Sequence, residues 1–150
     1  MREVTGNIWE TDAEAIVIPT NGAVRRDGSC VMGRGLALQA TRLYPALPRL
    51  LGNLIQAQGN QVYYLGVWHS VDRSRGILSF PVKRHWKEKA NLKLIRRSVE
   101  ELREKADEYG LLTVLLPRVG CGNGRLDWEE VRPLLEILDD RFTVVSLEEE

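Results

Sequence analysis

Long apolar runs are missing from this 150-residue chain, and none approaches the roughly 20 residues that a helix needs to cross a bilayer. Net charge is missing too. The 21 Lys and Arg balance 21 Asp and Glu, so any attraction to nucleic acid or a membrane surface has to be local. Only two cysteines are present, Cys30 and Cys121, at no metal-ligand spacing. No metal site is expected, no disulfide can be argued, and both read as reduced thiols of a cytoplasmic protein. The N-terminal MREVTGNIWE is charged and has no apolar h-region, so no secretory signal and no membrane partner are expected. Internal repeats, low-complexity tracts and linkers are absent as well. What remains is ordinary globular composition, 43% apolar and 28% charged, which reads as one domain over residues 1–150. A chain of this length buries roughly 70% of its unfolded surface, enough for a core without staples.

Short β-type runs recur at REVT, AIVIP (15–19), QVYYLGVW (61–68), GILSFP (76–81), LLTVLL (111–116) and FTVVSL (142–147). Helix-period segments lie between several of them. Residues 91–109 are the clearest, with Leu92, Ile95, Val99, Leu102, Ala106 and Tyr109 at three- and four-residue steps and Gly110 at the C′ position. Residues 128–138 should form another, with Asp127 and Glu130 as a capping box, Leu126 and Val131 as a hydrophobic staple, and a kink at Pro133. A third should start near Gly35 and stop before Pro45, and a shorter one should cover 47–57, weakened by Gly52. The polar HSVDRSR suits an antiparallel hairpin between the two middle strands. Strands alternating with helices elsewhere imply an α/β fold in three layers, α/β/α, around a mixed sheet. The acidic end LEEE is expected to fray.

Two glycine-rich segments each follow an apolar strand and precede a helix: TNGAVRRDGSCVMGRGLALQA and PRVGCGNGRLDW. In open α/β sheets, ligands sit outside the carboxyl ends of the strands, where such loops converge. Free amides at a helix start suit phosphate, and two facing loops suit a diphosphate. Neither loop is a Walker A motif, and neither completes a dinucleotide fingerprint.

The ordered run of GNIWETDAEAIVIPTN, VMGRGLALQ and LPRVGCGNGRLDWEEV resembles the macrodomain family of ADP-ribose-binding α/β/α proteins over nearly the whole chain. VMGRGLALQ together with FPVKRHW is similar to the DNA ADP-ribosyl glycohydrolase antitoxins and the terminal ADP-ribose protein glycohydrolases. The resemblance implies ADP-ribose as ligand and no cofactor. It places Asn7 and Ile8 at the adenine and Asn21 at the distal ribose. The amides of Met32, Gly33, Arg34, Gly35 and Leu36 would wrap one side of the diphosphate. Pro117 and the run Val119, Gly120, Cys121, Gly122, Asn123, Gly124, Arg125 and Leu126 would wrap the other. Asn7 stands where the family usually carries an aspartate; its oxygen still accepts a hydrogen bond but brings no charge. No aromatic platform for adenine is evident near Val145 and Ser146.

By the same resemblance the catalytic residues are Lys83, in SFPVKRHWKEK just after a strand, and Asn21. The protein-acting relatives pair this lysine with a loop aspartate, but here that position is Gly124, and Asp127 is better placed as an N-cap. A lysine near its ordinary pKa of ~10.4 is cationic at neutral pH. Lys83 is therefore expected to stabilise or protonate a departing base rather than act as nucleophile. His85 is a second candidate donor. KRHWKEK gathers four Lys/Arg around Trp86, with Arg25 and Arg26 in the other loop, a pattern that suits phosphates and a stacked base. The expected activity is removal of ADP-ribose from a nucleobase in DNA, with ADP-ribosylated single-stranded DNA and a cognate ADP-ribosyltransferase toxin as partners. A non-catalytic ADP-ribose reader, or a hydrolase of protein-linked ADP-ribose, its 1″-phosphate or O-acetyl-ADP-ribose, fits the same residues.

Overall fold

Six strands form one sheet in the computed structural model, which describes residues 1–147; from residue 148 onward the acidic end lies outside the described residues. The strands are β1 (Arg2–Thr5), β2 (Ala15–Thr20), β3 (Tyr63–His69), β4 (Ser74–Pro81), β5 (Val114–Leu116) and β6 (Phe142–Ser146). Their order is β1-β6-β5-β2-β4-β3; all neighbours are parallel except the β3–β4 hairpin. HSVDRSR closes that hairpin as expected, though the strands extend into it until only residues 70–73 turn.

Period-two alternation divides the core between the sheet's faces. Ala15, Val17, Leu78, Phe80, Val114 and Leu116 pack on one side with Ile95, Val99, Leu102 and Ala106 of α3 (Leu92–Glu108). Ile16, Ile18, Ile77 and Leu115 pack on the other with Ala37 and Ala40 of α1 (Gly35–Leu43) and Leu47 and Leu51 of α2 (Leu47–Gln58). Ile95, Val99, Leu102 and Ala106 of the stripe read in residues 91–109 are therefore the buried face of α3, while the stripe's end members Leu92 and Tyr109 are exposed. Asn91 caps the N-terminus by accepting from Leu94 N at 3.0 Å.

The segment expected to run as a helix over 128–138 makes only one turn, α4 (Trp128–Val131), and then tightens into a 3-10 helix at Arg132–Leu135. Pro133 cannot donate the next helical hydrogen bond, and the tighter turn follows. The expected capping box does not form. Asp127 makes no side-chain cap bond, and Glu130 meets it only through backbone, N to O at 3.0 Å. Leu126 and Val131 do both enter the core.

Gly52 also proves to be more than a weak point in α2. A Cβ there would lie 1.9 Å from the Gly28 oxygen and 2.9 Å from the Cys30 nitrogen. Cys30 N donates to Pro48 O at 2.8 Å across the same contact. The glycine lets the loop after β2 lie directly on the helix backbone. That loop is the first wall of the site.

Candidate functional site

β5, β2 and β4 are adjacent and parallel, so they end on one edge, at Leu116, Thr20 and Pro81. The helices after β2 and after β4 cover opposite faces, so the loops leaving this edge diverge and open a crevice. Three loops surround it.

Asn21 organises the first, residues 21–34. Its Nδ2 donates to Val31 O at 3.0 Å, and its Oδ1 accepts from Ala23 N at 2.9 Å. A side-chain amide has two N–H groups and an oxygen with two lone pairs. The second N–H and second lone pair make no hydrogen bond among the described residues, although Asn21 is buried. The loop then runs into the N-terminus of α1, where no side chain caps the first-turn amides. These amides remain open to an anion.

The second loop, residues 117–127, hangs from buried Val119 and Leu126. Gly120 and Gly122 hold φ of +78° and +69°, a region that side chains with a Cβ rarely adopt. A Cβ on Gly120 would strike Ile95 Cδ1 at 2.6 Å, whereas one on Gly122 would meet nothing within 4 Å. Arg125 adopts φ +64° without being glycine. Strain of that kind collects at functional loops.

The third loop, residues 82–91, carries Lys83 and is tied down on every side. Val82 N donates to Thr20 O (3.0 Å), Gly22 N to Arg84 O (3.0 Å), Asn91 N to Val82 O (2.8 Å) and Ala90 N to Gly124 O (2.9 Å). Asn60 Nδ2 donates to Lys83 O at 3.2 Å, and Arg97 in turn donates to Asn60 O. Below the loop, Ser98 Oγ donates to Pro81 O at 2.7 Å. The loop that carries the lysine is thus tied to both other loops and to α3, and the lysine carbonyl itself is held by Asn60.

The three loops enclose a cavity of about 530 Å3, a size that suits a nucleotide-like ligand. Asn21, residues 32–36, Lys83, Pro117, Gly120, Cys121, Gly122, Asn123 and Gly124 line it. Asn7, Ile8, Val119, Arg125 and Leu126 do not. Asn7 caps the 3-10 turn at Ile8–Glu10, accepting from Trp9 N at 2.9 Å, and Ile8 is core. Val119 and Leu126 are buried beneath the loop. Arg125 faces a second, more open groove of about 380 Å3 that shares Arg34, Lys83, Trp86, Gly122 and Asn123 with the cavity.

The cavity wall holds Arg25, Arg34, Lys83 and Arg118 but no Asp or Glu. Lys83 feels this. Burial, then the Arg125 and Arg34 charges, push its pKa below the ordinary lysine value, with Glu88 opposing. Its Nζ donates to Trp86 O at 3.3 Å. The unperturbed lysine expected from sequence is therefore replaced by one that gives up its proton more readily. His85 is exposed, stacks on Trp86 at 5.6 Å and accepts from Lys87 N at 3.2 Å. Burial raises the Cys121 thiol, so the cavity-lining cysteine stays protonated at neutral pH. Among the described residues no group of three or more His, Cys, Asp or Glu could hold a metal ion, and no helix is long and apolar enough to cross a membrane.

Arg118 and Asn60 were not legible in the sequence. Arg118 lines the cavity with its guanidinium 5.3 Å from the Trp128 ring, and its Nε has no hydrogen-bond partner among the described residues. Its only signal was a charge at a strand end between Pro117 and Val119. Asn60 stands in a Gly-Asn pair that reads simply as a turn.

Comparison with known proteins accords with this geometry. The chain is 28% identical over 138 residues to the DNA ADP-ribosyl glycohydrolase of Thermus aquaticus, covering 91% of the chain and 37% of that protein. It is 30% identical over 135 residues to the enzyme of that name from Mycobacterium tuberculosis, covering 87% of the chain and 36% of that protein. The chain thus spans about a third of the length of these curated relatives. The solved macrodomain of Mycobacterium tuberculosis DarG superposes with a TM-score of 0.79 at 27% identity, covering 99% of this chain and 97% of that one. The Macro domain family matches residues 27–135, which include the second half of the first loop and the whole of the other two, and the chain belongs to that family.

Proposed function

We propose that the protein binds ADP-ribose in the three-loop cavity and hydrolyses the glycosidic bond joining it to a modified nucleobase in DNA. The observation that carries this reading is the position of Lys83. It lies in the wall shared by the enclosed cavity and the open groove, where an ADP-ribose moiety and its attached base would meet.

The first-wall amides and those of residues 120–124 would hold the diphosphate between them. Asn21 would offer its remaining N–H and lone pair to the distal ribose, which fixes C1″. As the bond from C1″ to the base nitrogen breaks, its electron pair moves to the base, and Lys83 stabilises that charge or transfers a proton to it. Water adds at C1″ and its released proton returns to Lys83, or goes to the base anion if Lys83 has kept its own, giving free ADP-ribose and an intact base. The lowered Lys83 pKa favours proton transfer over a purely electrostatic role. The carboxylate-free wall disfavours chemistry that needs a loop carboxylic acid, and with it Glu- or Asp-linked ADP-ribose as substrate. The relatives' printed activity supports the same reading, and an ADP-ribosyltransferase that modifies DNA is the partner it implies.

A non-catalytic reader is the second reading, favoured by that same lack of a carboxylate. Incubation with ADP-ribosylated oligonucleotides carrying different modified bases separates the two. Release of free ADP-ribose is expected. Binding without release from any DNA or protein conjugate would leave the reader.

A further inference from the structure

The open groove beside the cavity carries cations that have no ion-pair partner among the described residues. Arg34, Lys83, Lys87 and Arg125 line it against a single carboxylate, Glu88. Among the described residues none of these four cations makes an ion pair. In a chain of zero net charge, four unpaired cations around one groove is a local concentration of positive field. The cations also work against one another: after burial, the Arg125 and Arg34 charges lower the Lys83 pKa further. Repulsion of this kind is relieved by an anion.

The groove is also held in shape. Arg125 Nη2 donates to Lys87 O at 3.4 Å, which joins the glycine loop to the lysine loop. The left-handed φ of Arg125 is the local distortion at that junction. Trp86 is 44% exposed, stacks with His85 and has Lys87 Nζ 5.1 Å from its ring. Indole beside spaced cations suits a single-stranded nucleic acid, whose bases stack while its phosphates pair. An acidic peptide would use the cations and leave the indole idle.

Resting on the function proposed above, we infer that this groove is a subsite for nucleotides flanking the modified one. Arg34, Lys87 and Arg125 pair with the neighbouring phosphodiesters, and Trp86 takes an adjacent base. The enzyme then recognises a modified base within a strand, rather than any ADP-ribosylated nucleoside.

The test compares an ADP-ribosylated nucleoside with the same nucleoside centred in a single strand of about seven nucleotides, within the usual span of such sites. The strand is expected to have a KM roughly tenfold lower, as stacking of one base alone would give. Exposed Lys87→Glu, away from the cavity wall, should erase most of that ratio, and Lys87→Ala should lower the salt slope of kcat/KM by about 0.7, one phosphate's share. Equal KM values, or a strand advantage that survives Lys87→Glu, would overturn the subsite while leaving the glycohydrolase intact. An ADP-ribosylated acidic peptide gaining as much as the strand would overturn it in favour of protein. If neither nucleoside nor strand is hydrolysed, the proposed function fails. Fluorescence anisotropy of the modified strand, competed with free ADP-ribose, then still reads the groove. Tighter strand binding lost in Lys87→Glu supports it, and equal binding overturns it.

Discussion

Ala90 N donates to Gly124 O at 2.9 Å, and the two residues lie so close that a Cβ on Gly124 would sit 2.9 Å from the Ala90 Cβ. The lysine loop and the glycine loop are thus closed on one another at Gly124, where the family resemblance would imply an aspartate in a protein-acting enzyme. Gly124→Asp should therefore destabilise by about 1–3 kcal/mol, the usual range for overpacking, rather than install a new acid. Ala90→Gly in the same chain should recover part of that loss. Denaturant unfolding of both single variants and the double variant measures the coupling, and strict additivity would show that this contact is not the cause.

Gly122 supplies a cleaner probe of ligand approach, because its missing side chain has open space in front of it. Gly122→Val should lose only about 1–2 kcal/mol to left-handed backbone strain, yet abolish ADP-ribose binding by standing where the diphosphate meets the amides. Calorimetry on a folded variant reads this. Unchanged affinity would make the loop a connector.

Lys83→Ala should keep free ADP-ribose affinity within a few-fold, losing only the pull of the Lys83 charge on the diphosphate, since that ligand carries no leaving base. Turnover should fall by ~100-fold or more, the loss expected when a transition-state stabiliser is removed. Lys83→Arg should rescue poorly, because a guanidinium holds its proton too firmly. Single-turnover release of ADP-ribose is the measurement. Activity that survives Lys83→Ala would put the chemistry elsewhere.

The lowered Lys83 pKa also has a sign. Between its folded value and the ordinary 10.5, the unfolded chain holds more of this proton, so this residue adds stability as pH rises through that window. A bound diphosphate would draw the pKa back up. ADP-ribose binding just below pH 10.5 should therefore take up protons. Titration in two buffers of different ionisation enthalpy should show that uptake, and Lys83→Met should not.

Gly52→Ala should be the most damaging of these changes to the fold, because its Cβ would overlap the Gly28 oxygen at 1.9 Å. A loss of about 3 kcal/mol would lower Tm by roughly 6–12 °C for a chain of this size. A thermal melt within a degree of wild type would mean that the loop moves aside freely.

Local pattern made α3 and the glycine loops legible, because each rests on residues close in sequence. The stripe from Leu92 to Ala106 is amphipathic by itself, and Gly120 and Gly122 punctuate a strand end by their own backbone needs. The segment after Asp127 misled for the same reason. Its caps and staple are local signals for a long helix, while Pro133 decides the outcome. Asn60 was invisible because its role is a contact 23 residues away, and Gly52 because its partner lies on another element. The lowered Lys83 pKa comes first from burial and then from Arg125 and Arg34, one from each flanking loop, none of which a local reading of the sequence supplies.

The hydrogen bonds that pin residues 82–91 are made by backbone atoms of that loop, with Asn60 and Arg125 the side chains reaching in from outside. Residues 84–89 are exposed on top of it. Scaffold and readout are therefore separable at this rim, much as hypervariable tips are on a fixed framework. A library varying only those six side chains could retune which strand or conjugate is admitted, with the placement of Lys83 left to parts of the chain that the library never touches.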